Sequence, residues 1–353
     1  MFSKALLRFP ASINPAHKIS QSGRLAAAIV PAVRYRATAT RSFSTTPSAN
    51  DDTNGNGQLK KRLLQRPSAI AQRLPDPDVE HGPHRLREFE LDGRVFIVTG
   101  GAQGLGLTLA EALVEAGGHV YCLDRQAKPQ QSFYDTQERL AHRYEGTLHY
   151  RQVDVQCAKQ LDDVVAAIAT EHQRLDGLIA NAGVQHVCDA IEYKPDDVMK
   201  MMAINFGGVF FSAQSCARQM IKYNIPGSMV LIGSMSGLIA NRGLRTVVYN
   251  ASKAAVIQSA RSLAMEWGKI VETEDGMKPI RVNTLSPGNI MTPMVQANFD
   301  EEPHLKKMWE DGNMLGRLSE MREFRGAALF LLSDASSFMT GGNLVIDGGY
   351  TAW

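Results

Sequence analysis

The sequence predicts an α/β fold in which a doubly wound, seven-stranded parallel sheet is covered by helices on both faces. Three observations lead to it. Seven short, nearly continuously apolar β-forming runs recur along the chain, the pattern of strands buried on both faces. Stretches of helical periodicity separate them, as crossovers between parallel strands require. A glycine-rich turn joins the first run to the first helix. No internal repeat goes beyond this βα alternation, and the pattern implies one domain over 91–353.

The elements come in order. "RVFIVTG" (94–100) is the first strand, and "GLGLTLAEALVEAG" is a helix closed by Gly117. "HVYCLD" is the second strand, "LHYRQVDV" the third and "LDGLIANAG" the fourth. "PGSMVLIGSMSG" is the fifth, "PIRVNTLSPG" the sixth and "GNLVIDGG" the seventh. Further helices are expected over roughly 157–174, 196–223, 247–268 and 318–333. A polar insertion, "GKIVETEDGMKP", separates Trp267 from the sixth strand at Arg281.

Composition narrows the function classes. With 353 residues, 44% of them hydrophobic, the chain can bury a sizeable core. No apolar run approaches the roughly 18 residues of a membrane span. Cys122, Cys157, Cys188 and Cys216 are scattered without ligand spacing. They read as reduced thiols, with no metal site. Residues 1–50 carry Lys4, Arg8, Lys18, Arg24, Arg34, Arg36 and Arg41, no Asp or Glu, and much Ser, Ala and Thr. That is the composition of a mitochondrial presequence, so delivery to the mitochondrial matrix is expected. Residues 51–90 read as a polar linker, disordered at its start. Without the leader the chain keeps 31 basic against 36 acidic residues, which excludes a surface built for nucleic acid.

The first turn, "TGGAQGLG", runs from Thr99 to Gly106 between a strand and a helix. Glycines there let the backbone approach a pyrophosphate, and the helix N-terminus supplies N–H donors. Asp124, 18 residues after Gly106, closes the second strand at the spacing of a carboxylate that holds an adenosine ribose. Together they mark a Rossmann-like dinucleotide site. Asp124 favours NAD over NADP. A carboxylate about 4 Å from a 2′-phosphate is repelled by roughly 4 kcal/mol per charge pair at an effective dielectric of 20. Arg125, next in sequence, offsets part of that.

"YNASKAAV" places Tyr249 four residues ahead of Lys253, on one face of a helix. A free phenol has a pKa of about 10. A neighbouring ammonium is expected to lower it and fit the tyrosine for proton transfer to or from a carbonyl-level substrate. "TGGAQGLG", the "NAG" of Asn181, Ala182 and Gly183, "YNASK" and "SPGNIMT" occur in this order. Across nearly all of 91–353 the chain thereby resembles the short-chain dehydrogenase/reductase family. The resemblance implies that Thr99, Gly100, Gly104, Leu105 and Gly106 cradle the cofactor. It implies that Asp154 and Val155 meet the adenine and that Asn181, Ala182 and Gly183 flank its ribose. Pro287, Gly288, Ile290 and Thr292 would hold the nicotinamide, and Lys253 its ribose. Tyr249 would be the acid/base, and Asn205 would hold a water beside Lys253. Of the two serines in "LIGSMSG", family spacing selects Ser236. The register of the apolar run instead puts Ser234 at the sheet's carboxyl edge, so Ser234 is expected to orient the reacting oxygen and Ser236 to touch substrate.

"LIGSMSG", "IRVNTLSPGNIMTPM" and the ending "DGGYTAW" are similar to fungal polyol dehydrogenases of the D-arabinitol 2-dehydrogenase type. This implies a polyol–ketose substrate pair and a homo-oligomer, tetramer or dimer. The stretches "LIANRGLRTVV" and "NAGVQHVCDA" depart from that pattern, and in them Gln185, Asn241 and Arg242 are polar candidates for sugar hydroxyls. Two alternatives stay open: a mitochondrial 3-oxoacyl-thioester or other carbonyl reductase, and a catalytically silent nucleotide-binding sensor.

Overall fold

The computed structural model describes residues 86–353 apart from 270–277, 293–294, 297–298 and 301. The leader, all but the end of the linker, and most of the insertion after Trp267 lie outside the described residues. Every described residue belongs to the unit Arg66–Trp353.

Seven parallel strands form one sheet: β1 (Val95–Thr99), β2 (His119–Asp124), β3 (Thr147–Gln152), β4 (Gly177–Ala180), β5 (Ser228–Ile232), β6 (Arg281–Pro287) and β7 (Asn343–Ile346). Their order is β3-β2-β1-β4-β5-β6-β7. The chain starts in the middle, winds to one edge, and returns to build the other half. The reversal falls between β1 and β4, and a crevice opens at the carboxyl ends of strands at such a point. One buried acid fixes the opposite end of this junction. Asp176 accepts from Val95 N–H at 2.9 Å and from Arg174 through Nε at 2.8 Å and Nη2 at 2.7 Å. The starts of β1 and β4 are thereby tied, with the buried charge fully paired.

The helices are α1 (Gly104–Glu115), α2 (Gln131–Ala141), α3 (Ala158–His172), α4 (Pro195–Met202), α5 (Val209–Lys222), α6 (Val247–Trp267), α7 (His304–Gly312) and α8 (Arg325–Leu332). One face of the sheet packs against α3, α5 and α6 through residues such as Val165, Ala213, Val256 and Ala260. The other packs against α1, α2 and α8 through Leu109, Leu113, Phe133, Leu140 and Leu331. Each face holds one fully buried thiol, Cys216 on the first and Cys122 on the second. Burial pushes both thiols well above their ordinary range. A third, smaller apolar cluster of Phe299, Leu305, Trp309 and Leu318 stands beside the crevice.

Three departures from the sequence-based expectation have local causes. The helix expected over 196–223 is two helices separated by a wider turn with π-type winding, Ala203–Gly208. The extra residue rotates α5 relative to α4, and such turns recur at functional sites. Helix α2 was not expected, although Phe133 and Leu140 sit seven residues apart on its buried face. Helix α7 is a short amphipathic segment whose only buried residues are Leu305 and Trp309, one turn apart.

Candidate active site

The crevice is a cleft of about 220 Å³. It is walled by the loops after β4, β5 and β6, the first turn of α1 and the first turns of α6. Among the residues singled out by sequence, Leu105, Asn181, Gly183, Gln185, Ser234, Ser236, Asn241, Tyr249, Lys253, Pro287, Gly288, Ile290 and Thr292 line it. Asp124, Asp154, Val155 and Asn205 do not.

The turn after β1 is tight enough to demand glycine. A Cβ on Gly106 would stand 2.2 Å from Gly100 O and 2.6 Å from Asn181 Nδ2. The Asn181 amide itself donates to Gly100 O at 3.1 Å. Thr99 Oγ1 accepts from Asn181 N at 3.2 Å and Ala182 N at 3.3 Å, joining the β1 turn to the "NAG" loop. Asp124 stands at the far end of β2, partly exposed, with Oδ2 3.4 Å from Ala102 N. Asp154 is engaged locally, accepting from Gln156 N at 3.0 Å. Val155 is buried under the wider turn, its Cγ2 2.6 Å from where a Gly208 Cβ would lie.

At the chemical end, Ser234 lies two residues beyond β5. Its Oγ accepts from Ser236 N at 3.1 Å, and Ser234 lines the cleft together with Tyr249. Ser236 itself is buried in the short turn behind. Lys253, 4% exposed, donates from Nζ to Ile232 O at 2.9 Å. No carboxylate among the described residues pairs with it. Its Nζ is 5.7 Å from the centre of the Tyr249 ring. Burial alone brings the ammonium down to about 8.

The expected tuning of Tyr249 by Lys253 is corrected by this geometry. The Tyr249 pKa is raised, not lowered: burial pushes it up, and the Ser234 hydrogen bond opposes this only in part. Lys253 faces the ring and a backbone carbonyl, so it contributes little at the phenol oxygen. At neutral pH the folded chain therefore carries Tyr249 as a neutral phenol.

Asn205 sits in the wider turn, fully buried. Its Oδ1 accepts from Val184 N at 2.8 Å, and its Nδ2 donates to Val184 O at 2.9 Å and Ser252 Oγ at 3.1 Å. Ser252 Oγ in turn donates to Tyr249 O at 2.7 Å. Asn205 approaches Lys253 only across Gly183. A Cβ there would stand 3.4 Å from Asn205 Oδ1 and 3.7 Å from Lys253 Nζ.

Two asparagines at the cleft escaped the sequence reading. Asn289 lines it, with Nδ2 buried and without a partner. Asn250 stands inside "YNASK", between Tyr249 and Lys253, where spacing carries no signal of its role. Its side chain bonds Thr246, Ile239 and Asn241 of the preceding loop.

These residues fit a nicotinamide dinucleotide. Gly104 adopts φ +57 with nothing within 4 Å of where a Cβ would point. The N-terminus of α1 has no side-chain cap, so its first N–H groups remain for a pyrophosphate. The unpartnered Asn289 amide and the uncompensated Lys253 mark the opposite end.

Residues 100–351 match the family described as Enoyl-(Acyl carrier protein) reductase. The chain is 42% identical over 266 residues to "Short chain dehydrogenases/reductase notP'" of Aspergillus versicolor, covering 75% of this chain and 89% of that protein. It is 38% identical over 275 residues to the ribulose-forming D-arabinitol 2-dehydrogenase of Candida albicans, covering 75% and 95%. Among solved structures, a gluconate 5-dehydrogenase from Burkholderia cenocepacia in complex with NADP and tartrate superposes with TM-score 0.68. It is 30% identical, over 76% of this chain and all of that one.

The buried Lys253 generates a pH prediction. Its folded value, about 8, lies below the ordinary 10.5. Between those values the unfolded chain binds more protons, so this group makes stability rise with pH across that window. A Lys253→Met variant lacks the effect. In urea melts, its stability advantage is expected to shrink between pH 8 and pH 10 by roughly 2 kcal/mol. A constant difference across that range would mean the ammonium is not buried as described.

Proposed function

The chain belongs to the short-chain dehydrogenase/reductase family, an oxidoreductase acting on CH–OH groups, and on that premise we propose that it interconverts a polyol and a ketose of the D-arabinitol/D-ribulose type with NAD. The observation that carries the substrate class is the charge of the cleft. Among the described residues its lining contains one ionic side chain, Lys253, beside hydroxyls and carboxamides. A neutral, hydroxyl-rich substrate suits such walls, because each amide left unpaired on closure costs about 1–3 kcal/mol. The Candida albicans relative bears the name of that reaction.

In this reading the glycine turn and α1 hold the pyrophosphate, Asp124 the adenosine ribose, and Lys253 with Thr292 the nicotinamide end. When bound, the nicotinamide supplies the hydride acceptor or donor. Tyr249 exchanges a proton with the substrate oxygen. Its raised pKa makes the phenol the resident form, so it is set to give a proton in ketone reduction, and oxidation gains as pH rises. Ser234 holds the same oxygen by its hydroxyl. Asn205 positions Tyr249 and Lys253 through Ser252 and Val184.

A second reading, a 3-oxoacyl-thioester or other carbonyl reductase, draws on the apolar wall of Leu244, Val295 and Trp309. A silent nucleotide-binding sensor is disfavoured because Ser234, Tyr249 and Lys253 all reach the cleft, with Asn205 behind them. We further propose that residues 1–50 direct the chain to the mitochondrial matrix, supported by their acid-free, Arg-rich composition.

Three measurements test these statements. A coupled assay across pentitols, hexitols and 3-oxoacyl thioesters is expected to show turnover on polyols. Tyr249→Phe should then lower it by about 10² to 10⁴ while cofactor binding stays within a few-fold; near-parental turnover in that variant would end the mechanism. Asp124→Ser should raise the relative use of NADP by one to three orders of magnitude, about what the charge repulsion predicts. A parent that already prefers NADP refutes the assignment. Finally, a fluorescent reporter carrying residues 1–50 should enter mitochondria, and a diffuse cytosolic signal would sink the targeting claim.

A further inference from the structure

The loop between β5 and α6 carries a chain of amides whose orientations fix one another. Asn250 Nδ2 lies 3.0 Å from Ile239 O. A backbone carbonyl only accepts, so this contact decides which end of the Asn250 amide is nitrogen. The Thr246 hydroxyl, 2.9 Å from Asn250 Oδ1, agrees with that choice by donating to it. The same Nδ2 reaches Asn241 at 2.8 Å. The atom it meets there must be an acceptor, which makes it Oδ1. Oδ1 keeps a second lone pair, but with that oxygen turned to Asn250 the Asn241 amide nitrogen and its two N–H donors form the other end of the group, and Asn241 lines the cleft. Its backbone is held as well, since Leu244 N donates to Asn241 O at 3.3 Å.

Asn250 is the residue after Tyr249, in the first turn of α6. The helix that presents the phenol therefore also sets the polarity of an amide on the neighbouring wall. We propose that Asn241 reads a substrate hydroxyl other than the reacting one, and that Asn250 is the positioning residue that presents Asn241 to it as a donor. This rests on the polyol–ketose reading above and names a residue that selects such substrates. A donor pair aimed at a neutral cleft rewards a substrate with an oxygen lone pair there. It leaves a desolvated amide unpaired against one without, and sites of that kind discriminate strongly.

The test compares two substrates of equal length, a pentitol and 2-pentanol, in the parent and in two variants. In the parent, the preference for the pentitol in kcat/KM reads the proposed function. In the variants, the change in that preference reads this inference. Asn241→Ala is expected to reduce the preference about 10- to 100-fold, mainly through KM for the pentitol. Asn250→Asp is expected to do the same without touching Asn241. An aspartate cannot donate to Ile239 O or to Asn241, so the Asn241 amide is released or turned with its oxygen to the cleft. A loss shared equally by both alcohols, or a preference kept in both variants, overturns the proposal and leaves the polyol reading intact. A parent without any preference overturns both. Thermal melts of the variants separate unfolding from altered selectivity, and Asn241→Asp serves as the second variant should Asn241→Ala fail to fold. It keeps the acceptor for Asn250 but turns an acceptor to the cleft, and retention of the parental preference there also counts against the proposal.

Discussion

The site hangs on one side-chain amide. Asn205 exchanges two hydrogen bonds with the backbone of Val184, as a strand neighbour would, and gives a third to Ser252. The loop after β4 forms one wall of the cleft, and Ser252 lies between Tyr249 and Lys253 on α6. A carboxamide carries an acceptor and a donor side by side, so it can accept from the N–H and donate to the C=O of the same residue. An aspartate would face the Val184 carbonyl with an acceptor, and a leucine would strand two buried backbone groups. The wider turn at Ala203–Gly208 makes the contact possible by rotating Asn205 off the line a regular helix would give it.

Around this clamp the electrostatics are sparse. Among the described residues the cleft offers one ionic side chain, and that lysine is held by a carbonyl rather than by an acid. Burial shifts Lys253 down and Tyr249 up, so both groups sit nearer their neutral forms than free side chains do. Hydroxyls and amides supply the remaining polarity, and they select by direction rather than by charge. The loop that carries Asn241 is tied to α6 by the backbone bond from Asn250 N to Thr246 O and by the side-chain bonds of Asn250.

Much of this was legible in the sequence because it is local. The glycine turn, Asp124 at the end of β2, and the one-turn spacing of Tyr249 and Lys253 depend on near neighbours along the chain. The register of "SMVLIG" likewise placed Ser234 past the strand, where it lines the cleft with Tyr249. What stayed hidden is tertiary. The π-wound turn at Asn205 leaves no mark in periodicity. The pKa of Tyr249 depends on burial and on where the Lys253 ammonium points, and helical spacing fixes neither. Helix α2 is a different case. Its amphipathic signal at Phe133 and Leu140 was present, but the polar surroundings of "DTQER" obscured it.

The two buried thiols belong to opposite faces of the core, Cys122 on β2 beneath α1 and α2, Cys216 on the buried side of α5. Both are held protonated and out of reach, while Cys157 and Cys188 stay accessible. A thiol reagent therefore meets two fast sites and two that wait for the protein to open. Because the slow pair divides between the two layers of helices, their labelling rates report separately on each layer. If the halves of the core open together, Cys122 and Cys216 react with one shared rate. If one layer lifts first, the chain records which one, without any probe having been added.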